Sequence, residues 1–362
     1  MTVPPEGTPS GERFPYDAIA AEQRWDRAVT DTPLDELDPQ GATRFTFDRS
    51  TKFASAGSCF AQRVADSLRA SPYRYLQAEP GPAWLDERQR TAYNYAPLPA
   101  RYGNVYTSLQ LLQLLRRACG TFVPDEDAWA LDDGGFADPF RPRIQPGGFE
   151  TVELLRRDRT FHLAAVQRMF RELDAFVFTL GLTECWTARS DGAVFPACPG
   201  RGIGRFDDAR YEFRNLGVAE NVEALTDFLR ELRAINPSAK VIFSVSPVAV
   251  AATLDAPHVV RASVYSKSVL RAAAETVVRN DPATEYFASF ELFSYGRAAA
   301  SWFEPDGRHV TAAGIERVMR MFYRHFLNAD VPPPRDAASS APRAPSAEVT
   351  PCDEDLLLGL LR

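Results

Sequence analysis

Two short stretches hold residue types that can perform nucleophilic chemistry. The first is Ala56-Gly57-Ser58-Cys59-Phe60, where a β-favouring run of small residues meets an amphipathic stretch. A serine in such a strand-to-helix turn is expected to have an exposed hydroxyl, and its own N–H lies beside a helix N-terminus, where it can stabilise a developing oxyanion. The same serine can instead do no more than cap the helix. The second stretch is Trp302-Phe303-Glu304-Pro305-Asp306-Gly307-Arg308-His309. A carboxylate three residues before a histidine in a turn can accept from one imidazole nitrogen and leave the other facing a nucleophile. Asp306 can also serve only to cap its turn. The combination outweighs either stretch alone: a nucleophile stands at the end of the first strand and an acid/base pair follows the last. Cys59 offers a thiol alternative, because a thiolate at a helix N-terminus is activated. Adjacent residues at a turn point in different directions, so only one of Ser58 and Cys59 can face the histidine.

These turns need a frame. From about Phe47, β-like apolar runs alternate with amphipathic helical stretches: TKFASAGS then CFAQRVADSLRA, LDAFVFTLG then NVEALTDFLRELRAI, KVIFSVSPV then SKSVLRAAAETVVR, TEYFASFELF then TAAGIERVMRMFYRHFL. Short strands separated by helices predict βαβ units and a mostly parallel sheet, hence an α/β fold. In open sheets of this kind the site forms beyond the carboxyl ends of the strands, which is where both turns fall. Residues 1–45 are polar and Pro-interrupted and are expected to form an arm lying on the domain, which spans 46–330. Within it, the Gly/Pro-rich stretch of about 84–161 breaks the rhythm and is expected to be an inserted cap, although it contains a helical run, SLQLLQLLRRAC. Residues 331–362 are rich in Pro, Ala and Ser and predict a disordered linker. The linker ends in CDEDLLLGLLR, whose leucines can dock on a protein partner or remain a dispensable tail.

Composition excludes several function classes. The chain has 362 residues, 45% of them hydrophobic, enough to bury the core of one large domain. A net charge of -7, with no Lys/Arg-rich run, lacks the basic excess that neutralising phosphates demands, so no nucleic acid is expected as partner. No apolar stretch reaches the ~18 residues of a membrane span and the N-terminus lacks a signal pattern, so a cytoplasmic location is expected. The five cysteines are odd in number and never at C-x-x-C spacing, and the four histidines, His162, His258, His309 and His325, never stand at i, i+4. Neither a metal nor any other cofactor is expected. For His162, His258 and His325, surface or structural roles are expected.

Further blocks accompany the two turns. Gly57-Ser58-Cys59-Phe60-Ala61 resembles the signature of GSCFA-domain proteins, a branch of the SGNH (GDSL-like) hydrolases. Tyr102-Gly103-Asn104-Val105-Tyr106-Thr107, Thr179-Leu180-Gly181-Leu182-Thr183-Glu184 with Trp186, Ser244-Val245-Ser246-Pro247-Val248 and the Asp306–His309 block agree in order, so the resemblance covers roughly residues 46–325. It implies a flavodoxin-like three-layer αβα sandwich, ester chemistry, Ser58 as nucleophile, and His309 with Asp306 as base and orienter. It also implies an oxyanion hole of Ser58, Gly103 and an asparagine of the third block, where this chain has Thr183. A threonine hydroxyl donates one hydrogen bond with a shorter reach than an amide, and Asn104 beside Gly103 is the candidate replacement. Gly181 and Glu184 are expected to bind substrate, unless Glu184 pairs with an arginine. The family's association with bacterial polysaccharide pathways implies an O-acyl, expected O-acetyl, group on a sugar, or a small ester. Hydrolase and acyltransferase share all these residues. The competing reading is a non-catalytic carbohydrate-binding or scaffolding relative of the same fold.

Overall fold

A parallel strand buried on both faces needs apolar residues at nearly every position, and the four β-rich runs supply them. In the computed structural model, which describes residues 14–33, 35–95, 97–295 and 302–327, all four become strands of one sheet. In chain order the elements are β1 (Lys52–Gly57), α1 (Cys59–Ala70), β2 (Arg74–Tyr75), α2 (Glu87–Ala92), α3 (Ser108–Cys119), β3 (Trp129–Ala130), β4 (Phe136–Ala137), α4 (Val152–Glu172) and β5 (Ala175–Leu180). There follow β6 (Glu184–Ala188), β7 (Val194–Phe195), β8 (Tyr211–Asn215), α5 (Val218–Ile235), β9 (Lys240–Val245), α6 (Val259–Asn280), β10 (Thr284–Phe287), α7 (Ser289–Ser294) and α8 (Ala312–Phe326).

The main sheet runs β10-β9-β5-β1-β2 with every pairing parallel. Ranked along the chain, that is the 2-1-3-4-5 order of a flavodoxin-like doubly wound sheet, whose direction reverses between β1 and β5. There Gly57 lies opposite Thr179. Successive residues of each strand face opposite layers. Ala54, Ala56, Phe176, Phe178, Val241 and Phe243 pack with α3, α4, α5 and α6; Phe53, Val177, Ile242 and Phe287 pack with α1, α7 and α8. The result is a three-layer α/β fold with both sheet faces covered.

Of the stretch read as an inserted cap, α3 lies within the helical layer, its leucines 111, 112, 114 and 115 in the main core. Thr107 and Gln110 cap its start reciprocally, and Gly120 ends it at φ 75°. A three-stranded antiparallel sheet, β7-β6-β8, follows β5 directly and has no counterpart in the sequence reading. Its strands are short and mix polar with aromatic residues, which blurs the period-2 signal. The arm is tied down by Gln40 Nε2 to the Tyr286 carbonyl (2.9 Å), by Thr43 Oγ1 to the His325 carbonyl (2.9 Å) and by Arg44 Nη1 to three carbonyls after α6 begins its last turn. The expected linker and leucine-rich end lie outside the described residues, and among those described no helix is long and apolar enough to cross a membrane.

The turn after β1 depends on Gly57. Its φ is +147°, and an added Cβ would stand 2.7 Å from both Ala61 Cβ and the Thr179 carbonyl oxygen. Neither neighbour can move without shifting α1 or β5. Gly57→Ala is therefore expected to lower stability by about 1–3 kcal/mol, read as a shift in the urea midpoint with unchanged slope; an unaltered midpoint would show that the turn relaxes freely.

Candidate active site

Ser58 follows Gly57 as the N-cap residue of α1, with φ -85° and ψ -168°. It makes no side-chain capping bond, so the helix-capping role is not the one it plays here. The expected exposed hydroxyl is corrected by the structure: Ser58 is 4% exposed, and its Oγ is buried with no hydrogen-bond partner. The segment from Tyr102 to Tyr106 covers this turn. Tyr102 donates its hydroxyl to the Ser55 carbonyl, the Val105 N–H donates to the Gly57 carbonyl (2.9 Å), and Gln62 Nε2 donates to Asn104 Oδ1 (3.0 Å). Gly103, at φ +68°, makes the bend that lets the segment pass.

The same segment reaches β5. The Tyr106 carbonyl accepts from the N–H groups of both Gly181 (2.9 Å) and Leu182 (3.1 Å). Gly103, Asn104, Gly181 and Thr183 are thus joined to the ends of two neighbouring strands. Thr183 is fully buried and its Oγ1, like Ser58 Oγ, has no hydrogen-bond partner. Among the described residues, these two are the only buried hydroxyls so left. Both backbone groups of Gly181 are engaged, its N–H by the Tyr106 carbonyl and its carbonyl by Lys267 Nζ at 2.6 Å.

The turn after α7 holds the acid/base pair. His309 Nδ1 lies 2.5 Å from Asp306 Oδ2, and Asp306 Oδ1 accepts from the N–H groups of Arg308 (2.9 Å) and His309 (3.0 Å). A carboxylate only accepts, so Nδ1 carries a hydrogen, and in the neutral imidazole Nε2 is the acceptor. Burial works to raise the Asp306 carboxyl, yet the bonds from His309 and from the two N–H groups hold it at about 2. Asp306 and His309 are each nearly half exposed. Arg308 Nε donates to the Ala249 carbonyl (3.0 Å), which fastens the turn beyond the carboxyl end of β9, and its Nη1 stands 3.5 Å from His309 Nε2. Phe60 of α1 packs on Phe293 (6.1 Å between centroids) and Phe293 on Phe303 (5.7 Å), linking the two turns through one apolar layer. The structure therefore assembles Asp306 with His309 and holds their turn to the same end of the sheet, but joins neither to Ser58 by a hydrogen bond.

The remaining candidates sort by contact. Cys59 is buried beside Phe60 in the layer of α1, α7 and α8 and forms no disulfide. Glu184 accepts from Thr253 Oγ1 (2.7 Å) instead of pairing with an arginine, and burial raises its carboxyl above the usual range. His258 caps α6 through Nδ1, and His325 Nε2 meets both Asp38 oxygens at 2.9 Å. His162 is buried and bonds Glu79 (2.8 Å), and with Tyr102 and Asn104 it lines a cavity of about 20 Å³, room for one or two waters, each of which needs ~10–15 Å³. Sequence reasoning missed Gln62, Ser266 and Lys267. The missed signal is helical register: Lys267 shares the buried stripe of α6 with Leu270, Ala274 and Val277.

Residues 52–322 match the GSCFA family. The chain belongs to the GSCFA family. No curated protein matches this GSCFA chain. Among solved structures it is similar to an acetyl esterase mutant crystallised with an acetate ion, at 12% identity over 74% of this chain and 92% of that one, TM-score 0.31. It is also similar to an acetyl xylan esterase from the rumen bacterium Butyrivibrio proteoclasticus, at 14% identity over 66% of this chain and 55% of that one, TM-score 0.24.

The Glu79–His162 pair makes the stability of this GSCFA protein pH-dependent. Burial pushes the His162 imidazole down from 6.5 to about 4, while Glu79, which burial alone would raise, is held at about 2 by His162 and Arg141. Between pH 6.5 and 4 the unfolded chain takes up a proton at this histidine and the folded chain does not, so stability falls with acidification. The Glu79 contribution is present above its ordinary value of 4.5 and lost toward 2, with the same sign. The unfolding free energy read from urea titrations is expected to drop between pH 7 and 4.5, by up to ~3 kcal/mol from the histidine, and His162→Gln should flatten that slope. An equal slope in the variant would assign it to other groups.

Proposed function

We propose that this GSCFA protein transfers an O-acyl group, expected to be O-acetyl on a carbohydrate, to water or to a sugar hydroxyl through an acyl-enzyme at Ser58. The observation that carries this reading is the pair of buried, partnerless hydroxyls at Ser58 and Thr183, at the carboxyl end of β1 and just beyond that of β5. A buried polar group without a partner costs about 1–3 kcal/mol, a cost tolerated mainly where the group is kept free for a ligand.

In the proposed reaction Ser58 Oγ attacks the ester carbonyl while His309 Nε2 takes its proton. Asp306 keeps Nδ1–H oriented and stabilises the imidazolium. Negative charge gathers on the carbonyl oxygen, where the N–H groups of Ser58 and Gly103 and the side chains of Thr183 and Asn104 are the candidate donors. Collapse breaks the ester C–O bond, and His309 returns the proton to the leaving alcohol. The acceptor hydroxyl then loses its proton to His309 Nε2 and bonds to the acyl carbon, the Ser58 Oγ–acyl bond breaks, and His309 returns the proton to Ser58 Oγ. Glu184 is the candidate contact for a sugar hydroxyl. Because Ser58 Oγ is buried, substrate entry requires the covering residues to shift. A cytoplasmic role in polysaccharide biosynthesis is part of the same reading.

That burial, with no bond from Ser58 to His309, favours the second reading, a non-catalytic carbohydrate-binding or scaffolding protein. Turnover of an aryl acetate separates the two. Ser58→Ala and His309→Ala are each expected to lower kcat by at least ~10³, with the double variant scarcely worse, and Asp306→Asn to be impaired less severely. Cys59→Ser should keep substantial activity. A wild-type protein with no turnover above background supports the scaffold; an active Ser58→Ala with an inactive Cys59→Ser makes the thiol the nucleophile.

A further inference from the structure

The turn from Gly181 to Thr183 is held more completely than a surface loop requires. The N–H groups of Gly181 and Leu182 go to the Tyr106 carbonyl, and that of Thr183 to Ser266 Oγ at 3.1 Å. The Gly181 carbonyl accepts from Lys267 Nζ at 2.6 Å, and the Thr183 carbonyl from the Leu216 N–H at 2.9 Å. The Thr183 hydroxyl is the side-chain polar group of the turn that is buried without a hydrogen bond.

Two of those bonds come from adjacent residues of α6. Lys267 is 4% exposed and Ser266 is 1% exposed, both on the face that packs against the sheet. A leucine at 267 would continue the stripe of Leu270, Ala274 and Val277 and bury apolar surface without cost. An ammonium there is desolvated, which is expensive unless its hydrogen bonds do something a hydrocarbon cannot. What it does here is fix the carbonyl two residues before Thr183. A threonine hydroxyl is short and cannot compensate by reach for a displaced backbone, as an asparagine amide can. Its usefulness as an oxyanion donor depends on the backbone being held to a fraction of an ångström, since about 1 Å of misplacement can cost ~10² in rate.

We propose that Ser266 and Lys267 are positioning residues that aim the Thr183 hydroxyl at the oxyanion. This rests on the ester-transfer reading above and adds two residues that the motif blocks do not contain.

The test is a double-mutant cycle on aryl acetate turnover, with Ser58→Ala as the reference for loss of the whole reaction. Lys267→Met and Ser266→Ala are each expected to lower kcat about 10-fold or more with KM changed less than about 3-fold, because the interaction strengthens only as charge develops. In a Thr183→Val background the same changes should cost little further, under about 3-fold, since the hydroxyl they aim is gone. A purely structural role would lower the melting temperature but leave the kcat losses independent of residue 183. Losses of full size in the Thr183→Val background, or no loss in either single variant, overturn the proposal. Should Lys267→Met fail to fold, Ser266→Ala carries the cycle alone. If Ser58→Ala is as active as the wild type, the ester-transfer reading fails first, and the two failures are distinguishable.

Discussion

Between β1 and β5 the direction of strand succession reverses, and the backbone of Val105 and Tyr106 spans the resulting crevice. Val105 gives its N–H to the Gly57 carbonyl on one side, and Tyr106 gives its carbonyl to Gly181 and Leu182 on the other. Backbone groups at the ends of buried parallel strands have lost their ladder partners and must find others. The strap supplies them. In doing so it fixes Gly103 and Asn104 beside the Ser58 turn and sets the distance between that turn and Thr183. Tyr102, whose hydroxyl reaches the Ser55 carbonyl, and Gln62, which reaches Asn104, lock the strap's near end.

The two halves of the proposed catalytic unit are built on different principles. The Ser58 half is buried and closely bonded: strand end, tight glycine, helix start and strap all constrain it. The Asp306–His309 half is a half-exposed turn with local internal bonds, and its ties to the domain include Arg308 to the Ala249 carbonyl and the packing of Phe303 on Phe293. A pair assembled within one turn keeps its own geometry when the turn moves as a body.

Much of the fold was legible because its signals are local. The runs around Phe53, Phe176 and Phe243 are apolar at nearly every position, and α1 begins directly after Ser58, where the amphipathic pattern starts. The Asp306–His309 contact was legible for the same reason, since three residues of spacing in a turn determine it. What was not legible depends on long-range contacts. Whether the Ser58 hydroxyl is open or covered depends on the strap, some 45 residues downstream. Lys267 reads as an ordinary solvent-facing charge until the register of α6 puts it under the Gly181 carbonyl. The antiparallel sheet of β6, β7 and β8 escaped because strands of two to five residues with mixed polarity resemble loops.

Covalent capture tests most directly whether Ser58, at the switch point between β1 and β5, is the nucleophile of the proposed reaction. Peptide mass spectrometry after exposure of the folded protein to a fluorophosphonate is expected to find one phosphonyl adduct, on Ser58, lost in His309→Ala. An unmodified Ser58 in natively folded protein, or an adduct on another residue, would contradict that role.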